Sequence, residues 1–238
     1  MDKPVTLICL PFAGGNKYSY RDFSTKMPSF IKISVLEYPG RGTRLREPLV
    51  QDMGLLVNDL YDQIRANMPE QDYAIYGHSM GGLAAYLLTI KLLENGHKPP
   101  MHIFITGTTG PSAVSRIEKK RHLMEKEAFL AEIKELDGMP EEILENEELL
   151  HYFEPILRSD FAASENYVHV DRPPLNIPIT VITGTGEDME ASDIQLWQKE
   201  TNFAVDFKRM PGKHFFIFQH TYKIIEIISR KVVNKHQL

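Results

Sequence analysis

The chain has 238 residues, a formal net charge of -5 at pH 7 and a single cysteine, Cys9. The acidic balance argues against a basic nucleic-acid-binding surface and gives no reason for attraction to an anionic membrane. One cysteine excludes an internal disulfide. No uncharged apolar stretch reaches the ~18 residues of a membrane span, and the N-terminus MDKP lacks the basic region of a signal peptide. We therefore expect a cytoplasmic protein that binds neither nucleic acid nor membrane.

Short apolar runs rich in β-branched residues alternate with longer helical patterns along the chain. Strands are predicted at 5–12, 31–37, 72–76, 101–106, 177–183 and 203–210. Helical patterns lie near 54–67, 80–95, 125–136, 141–157, 190–200 and 215–233. Because strands alternate with helices, the sequence predicts an α/β fold with a mainly parallel sheet and helices on both faces.

The interval between the strands at 101–106 and 177–183 is far longer than the ~10–12 residues that a crossover needs. It carries two helical patterns, EKEAFLAEIKELDG and EEILENEELLHYFEPILRSDF, and Pro155 is expected to kink the second. We therefore predict a single domain over residues 1–238, with a helical lid inserted at about 107–176 over one end of the sheet.

Residues 77–82 read GHSMGG between a predicted strand and a predicted helix. This is a Gly-x-Ser-x-Gly sequence in the strand, turn and helix context of a nucleophile elbow. Gly77 and Gly81 have no Cβ, so the turn can tighten and lift Ser79 clear of the sheet. The helix that begins there directs its N-terminal amides towards any negative charge that develops at the serine. Ser79 is therefore the candidate nucleophile.

A serine nucleophile needs a base, and His214 is the candidate because MPGKHFF follows the last predicted strand. His78 adjoins Ser79, but its side chain is expected to point elsewhere. The acid should follow a strand between the serine and the histidine. The loop GTGEDMEASD offers Asp188, which we prefer because a short carboxylate can accept from the imidazole Nδ1–H. Glu187 is the alternative, and Asp193 is better explained as helix-end charge.

The first predicted strand ends in PFAGG, where an early loop could supply an oxyanion donor. The Ala13 amide is the candidate from this loop, and the Met80 amide is the second donor. The sequence has neither a His-Glu-x-x-His motif nor a cysteine pair. We therefore expect no metal and no cofactor.

Six segments together resemble the type II thioesterases of nonribosomal peptide and polyketide assembly lines: LPFAGG, YPGRG, YGHSMGG, LDGMPEEILENEEL, RSDF and GKHFF. The resemblance runs from about residue 5 to residue 230 and implies an α/β-hydrolase fold. It also implies an enzyme that removes misprimed or stalled acyl groups from the 4′-phosphopantetheine arm of peptidyl or acyl carrier proteins, and we expect a monomer.

The resemblance carries over residue by residue to the proposed site. It gives the nucleophile as Ser79, the base as His214 and the oxyanion donors as Ala13 and Met80. The family usually has a Gly-x-x-Asp-like loop, whereas GTGED is a residue longer when it is counted from Gly184. The resemblance therefore leaves both Asp188 and Glu187 open as the acid.

Charge along the predicted lid bears on the carrier. The resemblance implies that the carrier proteins are commonly acidic. Residues 118–148 hold eleven acids and five bases, so this segment should not attract such a carrier by charge. We hypothesise that one of two basic clusters meets it: Arg116, Lys119, Lys120 and Arg121, or Arg41, Arg44 and Arg46. An ordinary solvated charge run is the alternative explanation.

Other functions remain open on the sequence. A broad carboxylesterase or an acyltransferase of the same fold would share the serine, the histidine and the acid. A non-catalytic binding module would be expected to lack one of them.

Overall fold

Six parallel strands form one sheet in a computed structural model that describes residues 4–137 and 145–233. In chain order they are β1 (Val5–Leu10), β2 (Ile31–Val35), β3 (Tyr73–His78), β4 (Ile103–Thr106), β5 (Ile179–Gly184) and β6 (Asp206–Met210). Their order across the sheet is β2-β1-β3-β4-β5-β6, and every neighbouring pair runs parallel. The predicted α/β class and parallel sheet are confirmed.

The four inner strands are apolar because both faces of the sheet are covered. Every residue of β1, β3, β4 and β5 is buried, whereas the edge strands β2 and β6 hold half-buried and exposed residues. The register places Ile75 beside Ile8 on one side and beside Ile103 on the other. This is the continuous hydrophobic pattern that a parallel sheet requires.

Helices on each face complete two hydrophobic layers. Helices α2 (Met53–Arg65) and α3 (Met80–Glu94) pack on one face, and α1 (Arg21–Lys26) and the C-terminal helix pack on the other. In α2, Leu56, Leu60 and Ile64 recur at the four-residue spacing that puts them on one face, and all three are buried. Asp52 caps this helix by accepting from the Leu55 amide.

Within its described residues, the long interval between β4 and β5 holds several helices. It holds α4 (Ser115–Glu118), a 3₁₀ turn (Arg121–Leu123), α5 (Lys126–Glu135) and α6 (Glu147–Glu165). A separate apolar cluster joins Phe129 and Ile133 of α5 to Leu157 of α6. The helix predicted at 141–157 lies partly outside the described residues. Pro155 lies inside α6, which continues to Glu165 and buries Ile156, Leu157 and Ala163 beyond the proline.

The predicted C-terminal helices are each divided. The pattern at 190–200 forms α7 (Ala191–Gln195) and a 3₁₀ turn (Leu196–Glu200). The pattern at 215–233 forms α8 (Phe216–Gln219) and α9 (Thr221–Val233). Among the described helices, none has both the length and the apolar character needed to cross a membrane.

The loops that follow four of the parallel strands lie on the same side of the sheet, at the carboxyl ends of the strands. Ala13 follows β1, Ser79 follows β3, Glu187 follows β5 and His214 follows β6. Residues that are far apart in sequence are therefore brought to the same place, as is usual for sites in open α/β sheets.

Candidate active site

Ser79 occupies a sharp turn between β3 and α3. Its backbone angles are φ 56 and ψ -121, a conformation that a non-glycine residue rarely holds and that costs about 1–3 kcal/mol. The turn is close-packed, since a Cβ on Gly77 would overlap the backbone of Gly81. The Ser79 amide donates to the Thr106 carbonyl at 2.8 Å, which ties the turn to β4. The strained backbone is held by contacts on both sides of the serine.

His214 connects the serine to a carboxylate. Its Nε2 lies 3.0 Å from Ser79 Oγ, and its Nδ1 lies 2.6 Å from Glu187 Oε1. The Glu187 side chain is only 3% exposed and that of His214 is 15% exposed. The three side chains thus form one hydrogen-bonded row in a largely water-excluded place, which suits proton transfer from the hydroxyl to the imidazole.

The preference for Asp188 as the partner of His214 is wrong on geometry. Asp188 is exposed, whereas Glu187 turns inward and its Oε2 accepts from the Gly184 amide at 2.6 Å. A glutamate is long enough to bond both the loop backbone and the imidazole. Asp193 lies elsewhere and accepts from the Ser115 hydroxyl. The local sequence contains both acids, but it does not reveal which side chain points inward.

The PFAGG loop is held close to the serine. Ala13 lines the same cavity as Ser79 and His214. Gly14 has a φ of 77, and a Cβ there would run into Leu157 of α6. Met80 is the first residue of α3, where the amides have no acceptor within the helix. Both predicted oxyanion donors therefore lie beside Ser79, and their role stays a prediction.

A buried ion pair fixes this loop from the other side. Asp160 of α6 accepts from the Gly14 amide at 2.7 Å and from both guanidinium ends of Arg41. The Arg41 and Asp160 side chains are 4% and 1% exposed. The segments YPGRG and RSDF thus meet behind the glycine loop. Sequence reasoning used both segments to recognise a family but did not pair them, because they are more than a hundred residues apart.

The His78 side chain is predicted to point away from the site, yet its ring packs next to His214. The ring centroids are 4.8 Å apart, and His78 is fully buried with Nδ1 3.0 Å from Thr106 Oγ1. Burial, and then the neighbouring His214, hold the pKa of His78 well below its usual value. Its position next to the serine was the only sequence signal for this contact.

A small apolar cavity opens above Ser79. Its volume is about 40 Å³, and it is lined by Phe12, Ala13, Ser79, Ile133, Leu136, Leu157, Phe161, His214 and Phe215. Apart from the serine and the histidine, the lining is hydrophobic, so it suits a hydrocarbon group attached to the atom that Ser79 attacks. Within residues 4–137 and 145–233, no group of three or more His, Cys, Asp or Glu side chains is placed to hold a metal ion.

The predicted basic clusters are mostly engaged inside the molecule. Arg41 is buried against Asp160, and Arg44 pairs with Glu47 and Asp59. Lys119 and Arg121 both pair with Glu132. Arg41 is therefore not accessible to a partner, and ion pairs reduce the charge that Arg44, Lys119 and Arg121 present. That one of the two clusters meets an acidic carrier stays a prediction.

Comparisons with known proteins agree with this geometry. Residues 5–232 match the thioesterase domain family. The chain is 30% identical over 227 residues to the thioesterase PikA5 of Streptomyces venezuelae. The aligned region covers 94% of this chain and 80% of that protein. The crystal structure of ClbQ from the colibactin NRPS/PKS pathway has a TM-score of 0.91 at 31% identity and covers 98% of both chains. The structure of the type II thioesterase BorB from the borrelidin biosynthetic cluster has a TM-score of 0.88 at 29% identity, and the match covers 97% of this chain and 94% of that chain.

The family match and the structural similarity extend over almost the whole chain, so they concern the same sheet and the same loops that hold Ser79 and His214. The resemblance to type II thioesterases that the sequence motifs indicated is confirmed. This chain therefore belongs to the thioesterase domain family and is an enzyme that hydrolyses thioesters.

Proposed function

We propose that Ser79, His214 and Glu187 are the catalytic triad of a thioesterase that removes acyl groups from the phosphopantetheine arm of carrier proteins. The observation that carries the proposal is the hydrogen-bonded row from Ser79 Oγ through His214 to Glu187, at 3.0 Å and 2.6 Å, beneath an apolar cavity. This row supplies a nucleophile, a base and a fixed tautomer.

The reaction follows from these positions. His214 Nε2 takes the hydroxyl proton as Ser79 Oγ attacks the thioester carbonyl, and Glu187 stabilises the imidazolium that forms. The amides of Ala13 and Met80 bind the oxyanion. His214 then protonates the departing thiol. Water attacks the acyl-serine, with His214 again as the base, and the free acid leaves.

Residues 107–176 act as a lid over this chemistry in the proposal. Ile133 and Leu136 belong to or follow α5, and Leu157 and Phe161 belong to α6; all four line the acyl cavity. An exposed ion pair, Lys213 to Glu135 at 3.0 Å, joins the end of α5 to the residue before His214. An exposed pair of this kind contributes little energy, so it would not by itself hold α5 against the His214 loop. The lid and the sheet belong to one domain.

Two similarities support a carrier-bound substrate. ClbQ comes from an NRPS/PKS pathway, and BorB is called a type II thioesterase of a biosynthetic cluster. In such pathways the acyl group travels on carrier proteins inside the cell, so we place this enzyme in the cytoplasm. One chain supplies every proposed catalytic group, and a monomer is therefore sufficient.

The test is hydrolysis of a panel of acyl-loaded carrier proteins by the wild type, Ser79→Ala and Ser24→Ala. Ser24 is an exposed serine of α1, so its variant controls for loss of a hydroxyl. We expect Ser79→Ala to lose at least about 10³-fold in kcat and the control to match the wild type. Intact activity in Ser79→Ala would overturn the mechanism. A wild type that prefers simple oxygen esters over acyl-carriers would overturn the substrate and favour a carboxylesterase.

A further inference from the structure

Three aromatic side chains lie exposed near the active-site edge. Tyr18 is 63% exposed, Phe218 is 43% exposed and Tyr222 is 70% exposed. Tyr18 lies in the turn that leads into α1, whereas Phe218 belongs to α8 and Tyr222 to α9. Single exposed apolar residues are ordinary, but grouped aromatic side chains are typical of protein contact sites.

One of these three rings, that of Phe218, packs directly on the residues that line the acyl cavity. The Phe218 ring stacks on Phe215, with centroids 5.9 Å apart and planes at 4°, and it also meets Phe12 edge-on at 6.0 Å. Phe215 and Phe12 line the cavity above Ser79. The exposed aromatic surface therefore begins one ring away from the reacting serine.

The two sides of this surface are packed together. Helices α1 and α9 contact each other, and the Lys26 ammonium of α1 lies 5.0 Å from the centre of the Tyr222 ring. At the other end of α1, the Arg21 amide donates to the Tyr18 carbonyl. Tyr18, α1 and the start of α9 therefore share one side of the molecule.

Basic residues lie next to these rings along the chain. Lys17, Arg21 and Lys223 lie beside them in the chain, and none of the three forms an ion pair within the described part of the protein. Of the nearby acids, Asp22 pairs with Lys26 and Glu226 pairs with Arg230, and the buried Glu37 accepts from the backbone amide of Lys17 at 3.0 Å. Lys17, Arg21 and Lys223 therefore make this surface locally basic, although the chain as a whole has a net charge of -5.

We infer that the aromatic-basic surface, defined as Lys17, Tyr18, Arg21, Phe218, Tyr222 and Lys223, docks the acidic face of the carrier protein. The inference rests on the proposed function. Aromatic side chains supply the buried contact area at such interfaces, and the surrounding charges attract the partner and fix its orientation. From this surface the phosphopantetheine arm runs past Phe218 and Phe215 to Ser79.

The test compares two substrates with the same acyl group, an acyl-carrier and an acyl-pantetheine that lacks the protein. The variant is Arg21→Glu/Lys223→Glu. The matched control is Lys32→Glu/Lys199→Glu. Both lysines are exposed and form no ion pair within the described residues; Lys32 lies in β2 and Lys199 in the 3₁₀ turn Leu196–Glu200. We expect about a tenfold loss of kcat/KM on the acyl-carrier for the variant, no change on acyl-pantetheine, and wild-type behaviour for the control.

Salt and a ring deletion sharpen the comparison. Added salt should reduce wild-type turnover of the acyl-carrier towards that of the variant, because screening weakens exposed charges. Tyr222→Ala should also raise the KM for the acyl-carrier alone. A wild type that does not hydrolyse the acyl-carrier would overturn the proposed function itself.

Other results would overturn only the docking surface. In such a result the wild type hydrolyses the acyl-carrier, but the ratio of kcat/KM on acyl-carrier to kcat/KM on acyl-pantetheine is the same in the variant as in the wild type. That holds whether both activities are unchanged or both fall equally. The surface would instead be a membrane contact if the variant kept that ratio and lost binding to phosphatidylserine vesicles that the wild type binds.

Discussion

At Ser79 the backbone bears a strain that the surrounding turn must offset. The serine holds a φ of 56 between two glycines whose missing side chains allow β3, α3 and the PFAGG loop to approach each other. The same crowding fixes Oγ within 3.0 Å of His214. The reactivity of Ser79 therefore depends on where the backbone holds its hydroxyl relative to His214. For the same reason the neighbouring residues Glu187 and Asp188 are expected to differ greatly in their effect on catalysis.

Glu187→Gln should lower kcat strongly. Glutamine keeps the length of the side chain but removes the charge that stabilises the His214 imidazolium, and a comparable loss in a serine protease costs about 10⁴-fold. Steady-state kinetics on an acyl-pantetheine measures the effect. Asp188→Asn is the matched control and should behave like the wild type, because Asp188 is exposed. The reverse ranking of the two variants would return the role to Asp188.

Asp160→Ala should destabilise the fold by about 3–5 kcal/mol, because it leaves the Arg41 guanidinium buried without its partner. It also removes the acceptor of the Gly14 amide. Urea unfolding at neutral pH measures the free energy of unfolding. Asp22→Ala, which breaks the partly exposed pair with Lys26, should cost less than about 1 kcal/mol. Similar losses in both variants would mean that the buried pair contributes no more than a surface pair.

At the scale of elements, α5 and α6 decide what enters the cavity. Ile133, Leu157 and Phe161 come from these two helices, while Phe12 and Phe215 come from the sheet loops. The amphipathic pattern of each helix predicts its existence, because the apolar spacing is local. Which of its apolar residues meets the serine depends on how the two helices cross the sheet.

Phe161→Ala should shift the preference towards longer acyl chains. Removing the ring enlarges a cavity of only about 40 Å³. A change of one or a few carbon atoms in the fit of a hydrophobic pocket alters the ratio of kcat/KM between two substrates by about tenfold or more. The measurement is the ratio of kcat/KM for octanoyl- and acetyl-pantetheine. Phe153→Ala, which is half-buried on the same helix but outside the lining, is the control. An unchanged ratio in Phe161→Ala would show that Phe161 does not limit chain length.

At the scale of the whole molecule, the sheet brings together groups that no local segment contains. Because the strands are parallel, the loops after β1, β3, β5 and β6 all lie at the carboxyl ends of the strands, although they span residues 13–214 of the chain. The same packing encloses His78 completely. A buried neutral histidine links the stability of the entire fold to pH.

Stability should fall as the pH drops below about 6.5. The pKa of His78 is held well below its usual value in the folded state, whereas the unfolded chain can bind a proton there near pH 6.5. The unfolded state therefore binds more protons, and acid favours it by up to about 1.4 kcal/mol per pH unit for this group.

Urea unfolding at pH 7.5 and 5.5 measures this dependence. His78→Asn should show a flatter change than the wild type between the two pH values. His151→Asn, at an exposed position of α6, should keep the wild-type change. Identical changes in all three proteins would contradict the role of His78.

The alternation of strands and helices, the sharp turn at Ser79 and the loop that carries His214 could all be predicted from the sequence, because each follows from a local pattern of apolar spacing or glycine placement. The contact of Glu187 with His214 in place of Asp188, the hold of Arg41 and Asp160 on the glycine loop, and the packing of His78 beside the base became evident only in the folded structure. These contacts depend on which way a side chain points within a loop and on distances between segments far apart in the chain, and local patterns contain neither.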